Sequence, residues 1–346
     1  MNCKNILFFL TIFPVANFCL AATNLYSETE SRLNPNTGLK VMNFHHNNDE
    51  KSPVKNIILF KTDFAVNTDG SPISYSSIDL EGKSGAINNI CNAIQVFKYN
   101  KNINLCRYPT DNKEERLKYK NEAILAFEQL MKNNWVKPKG SPYDITYENV
   151  LSLKKENSGG ESKQIPCIFK EDKSYKGYFG SETALKNKLK LKESGECGYK
   201  NQVDSVLIPG FVLPKLKSNP LNYFGAIPGD LIYVFDPLRN TSSFAIVNDI
   251  GGEDNSGEGS VRLLMNLRNK IEIPRSYSDS KQLAIHNKNI NSKPFVMIFI
   301  GSKNYKIDLP YTEEKIKLRG REIIRDAGFQ SEEELKEFMR EKYSSN

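Results

Sequence analysis

Two acidic residues nine positions apart, Asp249 and Glu258, carry the chemistry that this sequence offers. Asp249 follows the apolar run Phe244-Ala245-Ile246-Val247, and Glu258 stands between Gly257 and Gly259. Breaking a glycosidic bond needs one carboxyl that keeps its proton for the leaving oxygen and one that stays ionised as a base. A carboxyl emerging from a buried strand end is desolvated, which raises its pKa and suits an acid. A carboxylate in a glycine-flanked loop is open to water and suits a base. The same residues also have a plainer reading, in which Asp249 caps the following turn and Glu258 caps a helix starting near Ser260. An Asp–Glu pair alone does not separate the two. Asp63, Asp204 and Asp230 are secondary candidates for contacting a substrate; Asp230, after Gly229, also fits a turn-shaping role.

The elements that must position these acids read as mainly β. Residues 56–60, 206–213, 231–235, 244–247 and 295–300 are short apolar runs rich in β-branched or aromatic residues. Each is bounded by Pro or Gly, as strands are. Residues 236–241 join two of them in a hairpin-like turn. A helix is predicted over 111–133, with Asp111 as cap and Leu117, Ile124, Phe127 and Met131 on one face. Residues 135–164 read as loop, so 110–160 is expected to be a helical insertion on a domain spanning 55–310. A further helix is expected over 260–268. Two amphipathic helices start at Thr312 and Ser331, the second with Glu334 at capping-box spacing, and form a tail over 311–346. Residues 23–54 read as a flexible leader.

The chain has 346 residues and begins like a secretory signal. Lys4 precedes an apolar run from Ile6 to Val15, and Cys19-Leu20-Ala21 offers the small side chains of a cleavage site, so residues 1–22 are expected to be removed. That run is shorter than the roughly 20 residues of a membrane span, and nothing later is apolar enough, so a secreted or periplasmic protein without a span is expected. Cys91, Cys106, Cys167 and Cys197 then remain, an even count that permits two disulfides; closeness in sequence favours Cys91–Cys106 and Cys167–Cys197. Their spacings match no zinc pattern and His45, His46 and His286 do not cluster with them, so no metal is expected.

Formal charge is +7, or +6 without Lys4. The local run Lys186, Lys188, Lys190, Lys192 lacks aromatic interleaving and reads as a solvated face rather than a nucleic-acid site. Two loops imitate ligand motifs. Residues 61–72 hint at a calcium loop, but Ala65 fills a ligand position, so Asp69-Gly70 reads as a tight turn. Gly82-Lys83-Ser84 lacks the first glycine of a phosphate loop, where Ser77 stands.

Several blocks together resemble the family 75 glycoside hydrolases, the fungal-type chitosanases. Asp249-Ile250-Gly251-Gly252 with Gly257-Glu258-Gly259-Ser260 is similar to the family's Asp at a strand end followed by Gly-Glu-x-Ser. Asn67-Thr68-Asp69-Gly70-Ser71-Pro72, Gly177-Tyr178-Phe179-Gly180-Ser181-Glu182-Thr183-Ala184-Leu185, the Val203-to-Pro214 segment and Phe299-Ile300-Gly301-Ser302 resemble further blocks in order. Residues 110–160, the tail and both proposed disulfides have no counterpart there. The strand–turn–strand–Asp-x-Gly-Gly pattern also resembles double-psi β-barrels, as in rare lipoprotein A, expansins and family 45 endoglucanases.

The resemblance implies a double-psi-like, six-stranded β core with peripheral helices. It also implies a monomeric, cofactor-free, endo-acting and inverting hydrolase of β-1,4-linked glucosamine polymers, with Asp249 and Glu258 roughly 6.5–9.5 Å apart. A polycationic chitosan favours an acidic cleft whereas the chain is basic, so peptidoglycan or another amino-sugar polymer stays open as substrate. Two other readings stay open as well. One is a lytic-transglycosylase-type enzyme that needs a single acid. The other is a non-catalytic exported protein that binds a glycan or a partner through its insertion and tail.

Overall fold

The computed structural model describes residues 25–48, 52–79, 81–98, 103–158, 161–169, 175–187, 197, 201–301, 305 and 307–344. The expected signal segment and Lys188, Lys190 and Lys192 lie outside the described residues. The fold is mainly β, built on a nine-stranded mixed sheet with several helices. Its strands are β1 Tyr26–Leu33, β2 Lys40–His46, β3 Asn56–Lys61, β4 Ala65–Asn67, β5 Gly210–Leu213, β6 Leu231–Asp236, β7 Thr241–Ile250, β8 Glu258–Ser260 and β9 Phe295–Ile300. The order is β1-β2-β3-β9-β6-β7-β5-β8-β4, antiparallel except for the β7–β5 and β8–β4 pairs.

Covalent connectivity bends this sheet. Only Thr62, Asp63 and Phe64 separate β3, third in the order, from β4 at the far edge. Three linking residues reach at most about 14 Å, so the sheet must curl until the two strands are near one another. The stretch from β3 round to β8 and β4 is therefore barrel-like in its curl, but the described strands form no closed barrel, since no ladder joins β3 to β4. In place of the expected six-stranded double-psi-like core, the described strands form this nine-stranded, open and curled sheet.

Strand alternation splits the core in two. Along β6, Leu231, Tyr233 and Phe235 face one cluster while Ile232 and Val234 face the other, the period of two that a strand imposes. The inner cluster holds Ile58, Phe60, Phe64, Phe211, Val247 and Ile298, with the short helix α2 Val261–Leu267. The outer cluster is covered by helices α3 Glu313–Asp326 and α4 Glu332–Ser344, through Ile316, Ile323, Leu335, Phe338 and Met339. Strands buried on both faces read as unbroken apolar runs, which is how β3, β6 and β9 look in the sequence.

Several expectations change accordingly. Residues 311–344 share the main core instead of trailing from it. Gly320 shows how closely α3 lies: a Cβ there would stand 2.1 Å from the Phe244 ring. The expected flexible leader supplies β1 and β2, with Tyr26, Met42 and Phe44 in the outer cluster.

Residues 110–160 likewise belong to a larger satellite unit. Helix α1, Lys113–Lys132, packs on a small sheet of Ile94–Lys98, Ile103–Asn104 and Tyr143–Tyr147 around Phe127, Ile90 and Phe179. Asn112, not Asp111, caps α1, accepting from the Glu114 and Glu115 N–H groups at 3.0 and 3.2 Å. The predicted loop over 135–164 also contains the hairpin Leu153–Ser158/Glu161–Pro166. Both expected cysteine pairs stand at bonding distance, with Cα–Cα 5.0 Å for Cys91–Cys106 and 5.2 Å for Cys167–Cys197. No described helix is long and apolar enough to cross a membrane.

Candidate active site

Asp249 reaches its position through an irregularity in the sheet. Strand β5 pairs with β7 as Phe211↔Val247 and then Val212↔Asp249, so Asn248 is an extra residue on β7. Val247 lies in the inner apolar cluster. By simple alternation Asp249, two residues on, would point into that cluster as well. The bulge moves it to the opposite face, a re-aiming that bulges perform beside functional sites. There it aligns through Val212 with Glu258, because Val212 also pairs with Glu258 on β8. Gly259 faces Phe64, Leu263 and Leu264 of the inner core, so its neighbour Glu258 faces the other way. Two strand spacings put the Asp249 and Glu258 Cα atoms about 9–10 Å apart on one face.

Each acid is fixed by its surroundings. Asp249 is buried, at 7% exposure. Its Oδ1 accepts from the backbone N–H groups of Ala184 (2.9 Å) and Ile250 (2.8 Å). Burial pushes its carboxyl up to about 6, the two N–H groups and Lys186 work against that rise, and the charge of Glu258 adds to it. Lys186 is itself held by Glu182 at 3.0 Å and Gln202 at 2.8 Å. Glu258 Oε1 accepts from the Asn255 amide at 3.1 Å; burial raises its pKa too, while Asn255 and Asn67 oppose the rise. Glu258 lies on a strand rather than in the expected glycine loop. Its glycine neighbours have packing reasons: a Cβ on Gly257 would stand 2.3 Å from the Asp63 carbonyl oxygen. Ser260, not Glu258, caps α2, accepting from Leu263 N–H at 3.1 Å.

A third carboxyl joins them. Asp69 sits in the Asp-Gly turn after β4, its N–H donating to Asn67 Oδ1 at 2.9 Å. Gly70, with φ +81°, packs this turn against the Ser181 and Thr183 side chains and the Val203 backbone: its N–H donates to Ser181 Oγ at 2.9 Å, and a Cβ would be 2.3 Å from the Val203 carbonyl oxygen. Burial pushes the Asp69 carboxyl up to about 8, with the charges of Asp249 and Glu258 adding to it and Tyr75 and Asn67 opposing. Compared with known proteins, the chain matches no family model and no curated relative.

The other predicted acids are not brought to this place. Asp63 pairs with Lys293 at 2.8 Å and accepts from Asn287 N–H at 2.8 Å, pinning a loop to the β3–β4 link. Asp204 accepts from Val206 N–H at 2.9 Å and caps the turn before β5; burial raises it to about 6. Asp230, fully buried, accepts from Ile227 N–H at 3.0 Å in the turn before β6. Sequence reasoning missed Asp69, Asn67, Tyr75 and Asn248 as site residues. The first two lie in the Asn67-to-Pro72 block, which the sequence marks both as a tight turn and as a segment similar to the chitosanases. Among the described residues no cluster of His, Cys, Asp and Glu could hold a metal ion. The arrangement offers buried, mutually repelling carboxyls with raised proton affinity beside a lysine, which equips it for proton transfer.

Proposed function

We propose that this chain is an exported, inverting glycoside hydrolase acting on β-1,4-linked amino-sugar polymers, chitosan first, with Asp249 and Glu258 as its acid–base pair. The observation that carries this reading is the Asp249–Val212–Glu258 row. It holds two acids on one face of neighbouring strands, with the single strand position Val212 between them. Asp249 takes the part of the acid, because burial at the end of its strand raises its pKa to about 6 and leaves it partly protonated in mildly acidic solution. Glu258 then acts as base on the attacking water. In one displacement the water attacks the anomeric carbon and loses its proton to Glu258, while the leaving oxygen takes the proton of Asp249. The order of sequence blocks similar to family 75 chitosanases supports the substrate class. The curl of β3 into β4 supports the kinship with double-psi barrels, and two cysteine pairs at bonding distance support export.

Incubation of the purified protein with chitosan and, separately, peptidoglycan tests the reading by reducing-end release and product mass. New reducing ends from chitosan are expected. Products with an anhydro terminus from peptidoglycan would favour the single-acid transglycosylase instead. Truncating the base to Glu258→Ala and adding azide should restore turnover as a glycosyl azide, whereas Asp249→Ala should respond less. The opposite pattern would exchange the two roles.

A further inference from the structure

The acid–base pair accounts for two of the three carboxyls gathered here and leaves Asp69 without a task. Its side chain is held in place yet unfinished as a hydrogen-bonding group. Asn67, itself buried, fixes its backbone and turns an amide toward its Oδ2 at 3.5 Å. Its Oδ1 is buried and has no hydrogen-bond partner. On the face that carries Asp249, the Asn248 side chain is fully buried, and neither its amide oxygen nor its amide nitrogen is partnered. Buried polar atoms of a folded protein are normally satisfied. Their incomplete satisfaction near two candidate acids marks a polar place that the folded chain alone does not complete.

Which form of Asp69 fits such a place follows from its neighbours. Asp249 on β7 and Glu258 on β8 are acidic and raise Asp69, Tyr75 opposes that rise through a hydrogen bond to it, and Tyr277 brings a phenol held neutral by burial. Asn67 adds an amide. The cation of the site, Lys186, acts on Asp249. Three negative charges in one desolvated place are costly, so one carboxyl keeps its proton, as in paired-carboxyl enzymes. We propose that Asp69 is a third functional carboxyl of this site, presenting its O–H as a hydrogen-bond donor to the sugar held between Asp249 and Glu258. The bound atom it recognises is an acceptor, a sugar oxygen or the carbonyl of an N-acyl group. In alkali the proton leaves to solvent, and Asp69 becomes an acceptor whose charge repels both neighbours. The substrate half of this proposal rests on the hydrolase reading; the protonation half does not.

The test is carboxyl-carbon NMR on full-length protein labelled at aspartate, in the wild type and in Asp249→Asn, with Asp69→Asn identifying the resonance. Asp69 is expected to titrate near pH 8 in the wild type, and at least about one unit lower once the Asp249 charge is gone. A wild-type midpoint in the ordinary aspartate range, or one unmoved by Asp249→Asn, would overturn the proposal. Kinetics on chitosan oligomers supply the second arm. Asp69→Ala should raise KM about tenfold or more, whereas Asp69→Asn, which keeps a neutral donor, should recover part of that loss and abolish the alkaline decline. An alkaline limb unchanged in Asp69→Asn would overturn the substrate role. If the wild type cleaves no amino-sugar polymer, the hydrolase reading falls, and the titration alone decides the state of Asp69.

Discussion

The acids around β7 and β8 and the acids of the surrounding turns are both withdrawn from water, but their neighbours treat them in opposite ways. Asp230 and Asp236 are fully buried and satisfied locally: the first accepts from Ile227 N–H, the second from Leu238 N–H and from Arg239 at 2.6 Å. Asp63 has Lys293 and Asn287. Asp204 is raised by burial, but no neighbouring carboxylate contributes. The charges of Asp249 and Glu258 both raise Asp69, that of Glu258 raises Asp249, and Asp69 keeps an oxygen without a partner. Burial alone therefore does not mark a functional acid. Burial with like charge and incomplete satisfaction does, because such a group can change its protonation state during a reaction cycle.

The sharpest way to break this contrast is to neutralise the poised acids without changing their shape. Asp249→Asn and Glu258→Gln should each lower kcat by about 10² or more, the scale of a positioned acid or base, with circular dichroism unchanged. Asp249→Asn can still accept from Ala184 and Ile250, so its fold should hold. Full activity in either variant would place both residues among the structural acids.

Stability against pH reads the same contrast without a substrate. The folded pKa of Asp249 lies above its unfolded value, so its burial costs nothing below about pH 4; the cost appears as pH rises and is complete above the folded value near 6. Asp249→Asn should therefore match wild type in chemical denaturation at pH 4 and exceed it by roughly 2–4 kcal/mol at pH 8. Equal stability at both would mean that the site does not strain its carboxyls.

The turn acids should behave in reverse. Asp230→Ala leaves the Ile227 N–H without its acceptor and should cost about 1–3 kcal/mol, with turnover per folded molecule unchanged. Asp63→Asn gives up a part-exposed ion pair with Lys293 and should cost about 1 kcal/mol or less. Loss of turnover in either, at retained fold, would move that residue into the site.

How much of this was legible beforehand follows from how local each signal is. Apolar runs marked β3, β6, β7 and β9, and the starts of α3 and α4 were marked by Thr312 and Ser331, which accept from Lys315 and Glu334 N–H groups; α2 was expected, but its cap is Ser260 rather than Glu258. Asp249 was legible because it closes such a run. Strands β1 and β2 were not, since Tyr26–Leu33 is exposed along most of its length and reads as a polar leader. Strand β8 has three residues, two of them Gly259 and Ser260, too short for any periodic signal. Nor could the bulge at Asn248 be read, because it exists only in the pairing of β7 with a strand more than thirty residues away. Asp69 comes to Asp249 from 180 positions earlier in the chain, and only the curl of β3 into β4 unites them.

The central claim is that Asp249 and Glu258 act across a gap wide enough for water, and the anomeric form of the first product tests it most directly. Proton NMR during cleavage of β-linked glucosamine oligomers should show the α-anomer appearing first and then mutarotating, as a single inverting displacement requires. The β-anomer appearing first would demand a covalent intermediate formed by one of the two carboxylates, which would contradict the single-displacement roles assigned to Asp249 and Glu258.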